Sequence, residues 1–114
     1  MKKIILITAV VVLAGCATVK LATPSQSDVD RVSTKYPGYS LTDLDNGKML
    51  FEKHCADCHH LKDPTKRSEE QWETIVPKMV KKVNKKEGIV LDTNDQQTIL
   101  KYLVTMSDSK TTAK

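Results

Sequence analysis

The sequence predicts an all-α domain of three to four helices, and three observations predict it. Beyond the N-terminal segment, apolar residues recur at steps of three and four. Two polar quartets have the form of helix starts, and no stretch there alternates convincingly as a strand. With 114 residues the chain offers one small domain, and it carries neither an internal repeat nor a Gly-rich phosphate loop.

The N-terminal segment stands apart. Met1 to Cys16 reads "MKKIILITAVVVLAGC", with Lys2 and Lys3, an apolar run from Ile4 to Ala14, then small residues. That order is the layout of a secretory signal peptide, and the run is too short to span a bilayer. Leu13-Ala14-Gly15-Cys16 resembles the lipobox of bacterial lipoproteins. The resemblance implies removal of residues 1–15 and acylation of Cys16, and Ala17 after it implies sorting to the outer membrane. Several acyl chains together give stable attachment where one is marginal.

"ATVKLATPSQSDVDR", from Ala17 to Arg31, shows no apolar periodicity and is rich in Thr, Ser and Asp. It reads as a flexible tether over 16–33, with a reach on the order of 20 Å. "KYPGYS", Lys35 to Ser40, is a turn signal that closes it. The folded domain is then 34–107, and 108–114 reads as a disordered tail.

Within the domain, Leu44, Gly47, Phe51, His54 and Cys55 share one face of a first helix. Ser68-Glu69-Glu70-Gln71 is a capping box, followed by Trp72, Ile75, Val76, Met79, Val80 and Val83 along one helical face. Pro77 removes a hydrogen bond inside that helix and should kink or split it. Gly88 fits its stop. Thr93-Asn94-Asp95-Gln96 reads as a second capping box, opening a helix whose buried face is Ile99, Tyr102, Leu103 and Met106.

The chemistry is concentrated in "FEKHCADCHH", Phe51 to His60. Cys55-Ala56-Asp57-Cys58-His59 is a C-x-x-C-H, the haem c attachment signature. Two cysteines three positions apart lie on one side of a helical turn, so both sulfurs reach the vinyl groups of one porphyrin. The next residue then offers its imidazole to the iron. A zinc site would need a second Cys or His pair downstream, and none follows His60. A thioredoxin-like dithiol would need flanking βαβ units, whereas the flanks read helical. Three cysteines thus divide into one for lipid and two for haem.

"NGKMLFEKHCADCHHL" resembles the start of a class I c-type cytochrome domain, with Gly47, Phe51, Cys55, Cys58 and His59 on the family's G-x-x-x-[FY]-x-x-x-C-x-x-C-H pattern. "TNDQQTILKYLVTM" resembles that family's C-terminal helix, through Ile99, Tyr102 and Leu103. The resemblance covers about half of the chain. It implies a cytochrome c-like domain around one covalent haem c, with the first and last helices crossing closely and Gly47 and Phe51 packed against Tyr102 or Leu103.

A second axial ligand is sought among His54, His60, Met49, Met79 and Met106. His60 adjoins His59 and cannot reach the opposite porphyrin face, and His54 has a similar difficulty. Met106 falls on the core face of the last helix. The family's methionine usually lies in the loop before that helix, but "KKEGIVLDT" contains none. Met79, after Pro77 and on the apolar face with Trp72, is the expected ligand opposite His59, against the commoner fate of core packing.

Charge excludes little. Eighteen basic and fourteen acidic residues give +4; loss of Lys2 and Lys3 leaves +2, and two haem propionates bring this to about zero. Nucleic-acid binding is not indicated. Lys78, Lys81, Lys82, Lys85 and Lys86 form a solvated helix face or, more sharply, a docking surface for an acidic redox partner. The expected function is outer-sphere electron transfer by a lipid-anchored, exported protein on the periplasmic face of a bacterial outer membrane, with no catalytic residue and no small-molecule substrate. A haem subunit of a larger membrane complex is the alternative, or a sensor or peroxidase-like protein if the iron is open.

Overall fold

A computed structural model describes residues 21–55 and 62–108. Among them it contains four α-helices and one 3₁₀ turn: α1 (Gln26–Arg31), α2 (Leu41–Cys55), the 3₁₀ turn (Pro64–Lys66), α3 (Glu69–Glu87) and α4 (Thr93–Ser107). No strand occurs among the described residues. The all-α expectation holds.

The helix starts follow from side-chain chemistry. The Ser68 hydroxyl accepts from the Gln71 N–H and the Gln71 side chain accepts from the Ser68 N–H, as the capping box requires. At α4 the box is Asp92 with Asp95, one residue earlier than the predicted Thr93 with Gln96. The Asp92 carboxylate accepts from the Asp95 N–H at 2.8 Å, and Asp95 accepts from the Asp92 N–H at 3.1 Å. Thr93 is therefore the first helical residue. Gly88 ends α3 with φ +85°, a value that a glycine adopts without strain.

α4 touches every other element and forms the centre of the domain. Its Ile99, Tyr102, Leu103 and Met106 are buried, together with Leu44 and Phe51 of α2 and Trp72, Val76, Val80 and Val83 of α3. α2 crosses α4 at Gly47. A Cβ there would lie 2.6 Å from the Thr98 carbonyl oxygen and closer still to the Tyr102 Cβ. The close crossing of these two helices is present, with Phe51 and Tyr102 rings 5.8 Å apart beside it.

Two expectations are corrected. Of the kink or split expected at Pro77, the split does not occur, and α3 runs unbroken through it. Pro77 and Glu73, whose carbonyl loses its helical partner, both face solvent, so water can take the missing bond. The second correction concerns the predicted tether, whose described part is folded. Leu21, Val29 and Val32 are buried and α1 lies on α4 and α2. Ser25 donates its N–H and its hydroxyl to the Asp28 carboxylate at 2.9 and 3.0 Å. Arg31 pairs with Asp28 at 2.9 Å and donates to the Thr105 carbonyl at 2.8 Å. The packed domain thus includes residues 21–33 as well as those from 34 onward. The predicted signal peptide, Cys16 and most of the predicted tail lie outside the described residues.

The turn after α1 is built as its sequence suggested. Gly38 takes φ +78°, and Tyr36 and Tyr39 meet edge to face at 5.6 Å under the Lys101 ammonium. Lys35 pairs with Glu69 at the start of α3.

Candidate haem site

Cys55 is the last described residue of α2, half-buried against the packed core. The three turns before it are fixed by Leu44, Gly47 and Phe51, all buried on α4 or beside it. His54, immediately before it, holds Glu87 at the end of α3, with His54 Nδ1 3.0 Å from Glu87 Oε2. The two side chains are 11% and 27% exposed, so this pair is partly shielded from water. It joins the end of α2 to the end of α3. Cys58, His59 and the neighbouring His60 lie outside the described residues.

The chain returns to a fixed position directly after that segment. Asp63 caps the 3₁₀ turn, accepting from the Thr65 N–H at 2.9 Å and the Thr65 hydroxyl at 2.7 Å. Pro64 is buried, and its carbonyl accepts the Trp72 indole N–H at 3.0 Å. A buried indole N–H needs such a partner, and here the bond seats the turn on α3. Trp72 also meets Phe51 edge to face at 6.5 Å. The chain on both sides of residues 56–61 is therefore anchored on one aromatic cluster.

Met79 and Ile75 lie on α3, half-buried at the rim of the core. Trp72 and Val76 from the same apolar face are 1% and 0% exposed and belong to its interior. The four residues grouped by periodicity thus divide in two, with Ile75 and Met79 at the margin. Met106 is buried in α4 as core. Met49 is exposed on α2.

The electrostatics around this cluster come from burial. Tyr102 is held above its ordinary value by burial, with Glu52 and Asp63 adding to the effect. Tyr36 is pushed up to about 12, chiefly by burial and then by Glu69, Glu73 and Asp108. Both phenols are neutral across the physiological range.

Cys55 closes the described part of α2, and an apolar, half-buried pair, Ile75 and Met79, borders the core on α3. Among the described residues no group of three or more His, Cys, Asp or Glu is gathered as a metal site. No described helix is long and apolar enough to cross a membrane.

Sequence reasoning missed several residues near the site. Glu87 reaches His54 across 33 positions, a separation at which no local pattern operates. The Arg67 guanidinium lies 5.9 Å from the centre of the Trp72 ring, within cation–π range. Pro64 could have been suspected, because a proline after Asp63 at a short turn offers a carbonyl and no competing N–H.

No family model, curated protein or solved structure matches this chain.

Proposed function

We propose that this protein is a lipid-anchored, monohaem c-type electron carrier. The observation that carries the reading is the run Cys55-x-x-Cys58-His59, which begins at the last residue of a helix packed closely on α4 through Gly47. Cys55 and Cys58 would hold the haem through thioethers, His59 would ligate one side of its iron, and Met79 the other. Acylation of Cys16 would place the protein at the periplasmic face of an outer membrane, where its partners are redox proteins.

When bound, the haem supplies a one-electron couple whose potential depends on axial ligands, burial and nearby hydrogen bonds. The residues of this chain support that couple in three ways. Phe51, Trp72 and Tyr102 give the attachment helix a rigid footing, so little rearrangement accompanies a change of charge. Ile75 and Met79 offer an apolar border that keeps water away. No His or Arg lies on the buried face of α3, so peroxide or gas chemistry, which uses polar groups over an open iron, is less well served.

The test is expression in a host with haem c assembly, followed by a denaturing gel stained for haem and a reduced pyridine haemochrome spectrum. One haem per chain should survive denaturation, and Cys55→Ser with Cys58→Ser should abolish it. An exported chain with an intact motif and no haem would overturn the reading.

A further inference from the structure

Resting on the reading of the protein as a lipid-anchored haem carrier, we infer that the end of α3 and the loop 88–90 form its docking surface for an acidic redox protein. Three large apolar side chains are exposed among the described residues, and two of them adjoin: Ile89 at 93% and Val90 at 45%. Apolar residues exposed singly are ordinary on protein surfaces. This adjoining pair is held in place. Asn84 Oδ1 accepts from the Val90 and Leu91 N–H groups at 3.2 and 2.9 Å, and Asn84 Nδ2 donates to the Leu91 carbonyl at 2.9 Å. Leu91 is buried, so the chain is pinned directly after the pair. A surface already held in shape loses little freedom when a partner covers it.

Charge says what kind of partner fits. Residues 78–91 carry five lysines and one glutamate, a formal +4. The other described residues carry eight basic and twelve acidic side chains, a formal −4. Positive charge is therefore concentrated at this corner, and an acidic surface is steered toward it. Lysines also suit the C-terminal end of a helix, which accounts for Lys85 and Lys86 but not for an isoleucine in water. The one glutamate, Glu87, is held by His54 at 3.0 Å, and His54 directly precedes Cys55. The corner thus adjoins the described end of α2, where the attachment motif begins. The partner that fits carries an apolar patch ringed by carboxylates.

Binding of two fluorescent polyanions to the acylated holoprotein on phosphatidylcholine vesicles tests this, one polymer of glutamate alone and one of glutamate with tyrosine. The wild type should bind the mixed polymer more tightly, and both polymers less tightly as salt rises. Ile89→Ser should erase that preference, a loss of about tenfold in affinity for the mixed polymer. Lys82→Gln with Lys85→Gln should weaken both polymers several-fold. Met49→Ser, which removes an apolar side chain exposed on α2, should change neither. Ile89 lies at the surface, so its variant should keep its helix content by circular dichroism. A wild type without the preference, a preference that survives Ile89→Ser, or binding that ignores both lysines overturns the inference. So does a spin label at Ile89→Cys that becomes buried on vesicles containing phosphatidylglycerol, because lipid would then cover the corner. A haem stain taken first separates the two levels. A chain without haem refutes the carrier and the inference with it, whereas a loaded chain that ignores Ile89 refutes only the docking surface.

Discussion

Gly47 lies directly beneath Tyr102 where α2 crosses α4, in a space that no side chain could share. An added Cβ would meet the Tyr102 Cβ and, at 2.6 Å, the Thr98 carbonyl oxygen. Both obstacles belong to or adjoin the α4 backbone, so neither can swing aside. The crossing therefore fixes the height of α2 on α4, and with it the position of Cys55 two turns further on.

Gly47→Ala should destabilise the protein, although alanine favours a helix by about 1 kcal/mol over glycine. Overpacking of about 1–3 kcal/mol, and more where backbone must move, outweighs that gain. Urea denaturation should show a lower midpoint for Gly47→Ala. An equal or higher midpoint would mean that the helices part without cost.

Asp28 gives a pH-dependent prediction. Burial would raise its carboxyl, but the Ser25 N–H, Arg31 and the Ser25 hydroxyl outweigh it and hold the group below the ordinary carboxylate range. A depressed folded-state value contributes stability above the unfolded value, and this is lost as pH falls through the folded value. Asp28→Asn should therefore cost about 1–2 kcal/mol at neutral pH and nothing in acid. Denaturant midpoints of both proteins across that range should converge at the acid end.

How much of this was legible can be read from particular residues. Trp72, Val76, Val80 and Val83 lie on the buried face that their spacing implied, because a long helix repeats its signal several times. Ser68, Gln71 and Gly88 mark ends through local hydrogen bonds and backbone freedom, so they too were readable. α1 was not, since six residues carrying Val29 give no period to detect. Its support from Thr105 is 74 positions away. The Ser25-x-x-Asp28 spacing was the one available signal. Asp92 and Thr93 are both competent caps, each with a suitable partner three residues on, and the helix uses Asp92 with Asp95. Of the site itself, the attachment motif was readable as chemistry, whereas the Pro64 and Glu87 contacts that flank it are tertiary.

Trp72→Phe probes the anchoring of the chain after the motif. It keeps an aromatic ring near Phe51 but removes the indole donor from the Pro64 carbonyl, which then keeps only the Arg67 N–H at 3.4 Å. Loss of one hydrogen bond costs about 0.5–1.5 kcal/mol, so the variant should lose about that much in addition to the effect of its smaller volume. Amide exchange should quicken at Thr65 and Lys66 more than in α4. Uniform loss of protection across the domain would instead indicate a simple packing defect.

The last prediction concerns Met79, proposed as the ligand opposite His59. Two methionines lie on the core faces of the last two helices, and their surroundings separate them. Met106 is 4% exposed within α4, with packing on several sides, whereas Met79 is half-buried at the edge of the core on α3. A thioether at an edge can turn toward a bound group without opening a cavity behind it; one in the interior cannot. Methionine ligation favours the ferrous state, so a histidine and methionine pair gives a higher potential than two histidines. Met79→Ala should abolish the weak absorption band near the red edge of the visible spectrum of the oxidised protein, and should lower the potential. Met106→Ala should keep the band while costing about 2–5 kcal/mol of stability. A wild-type spectrum without the band, or a Met79→Ala protein that retains it, would reassign the second axial position.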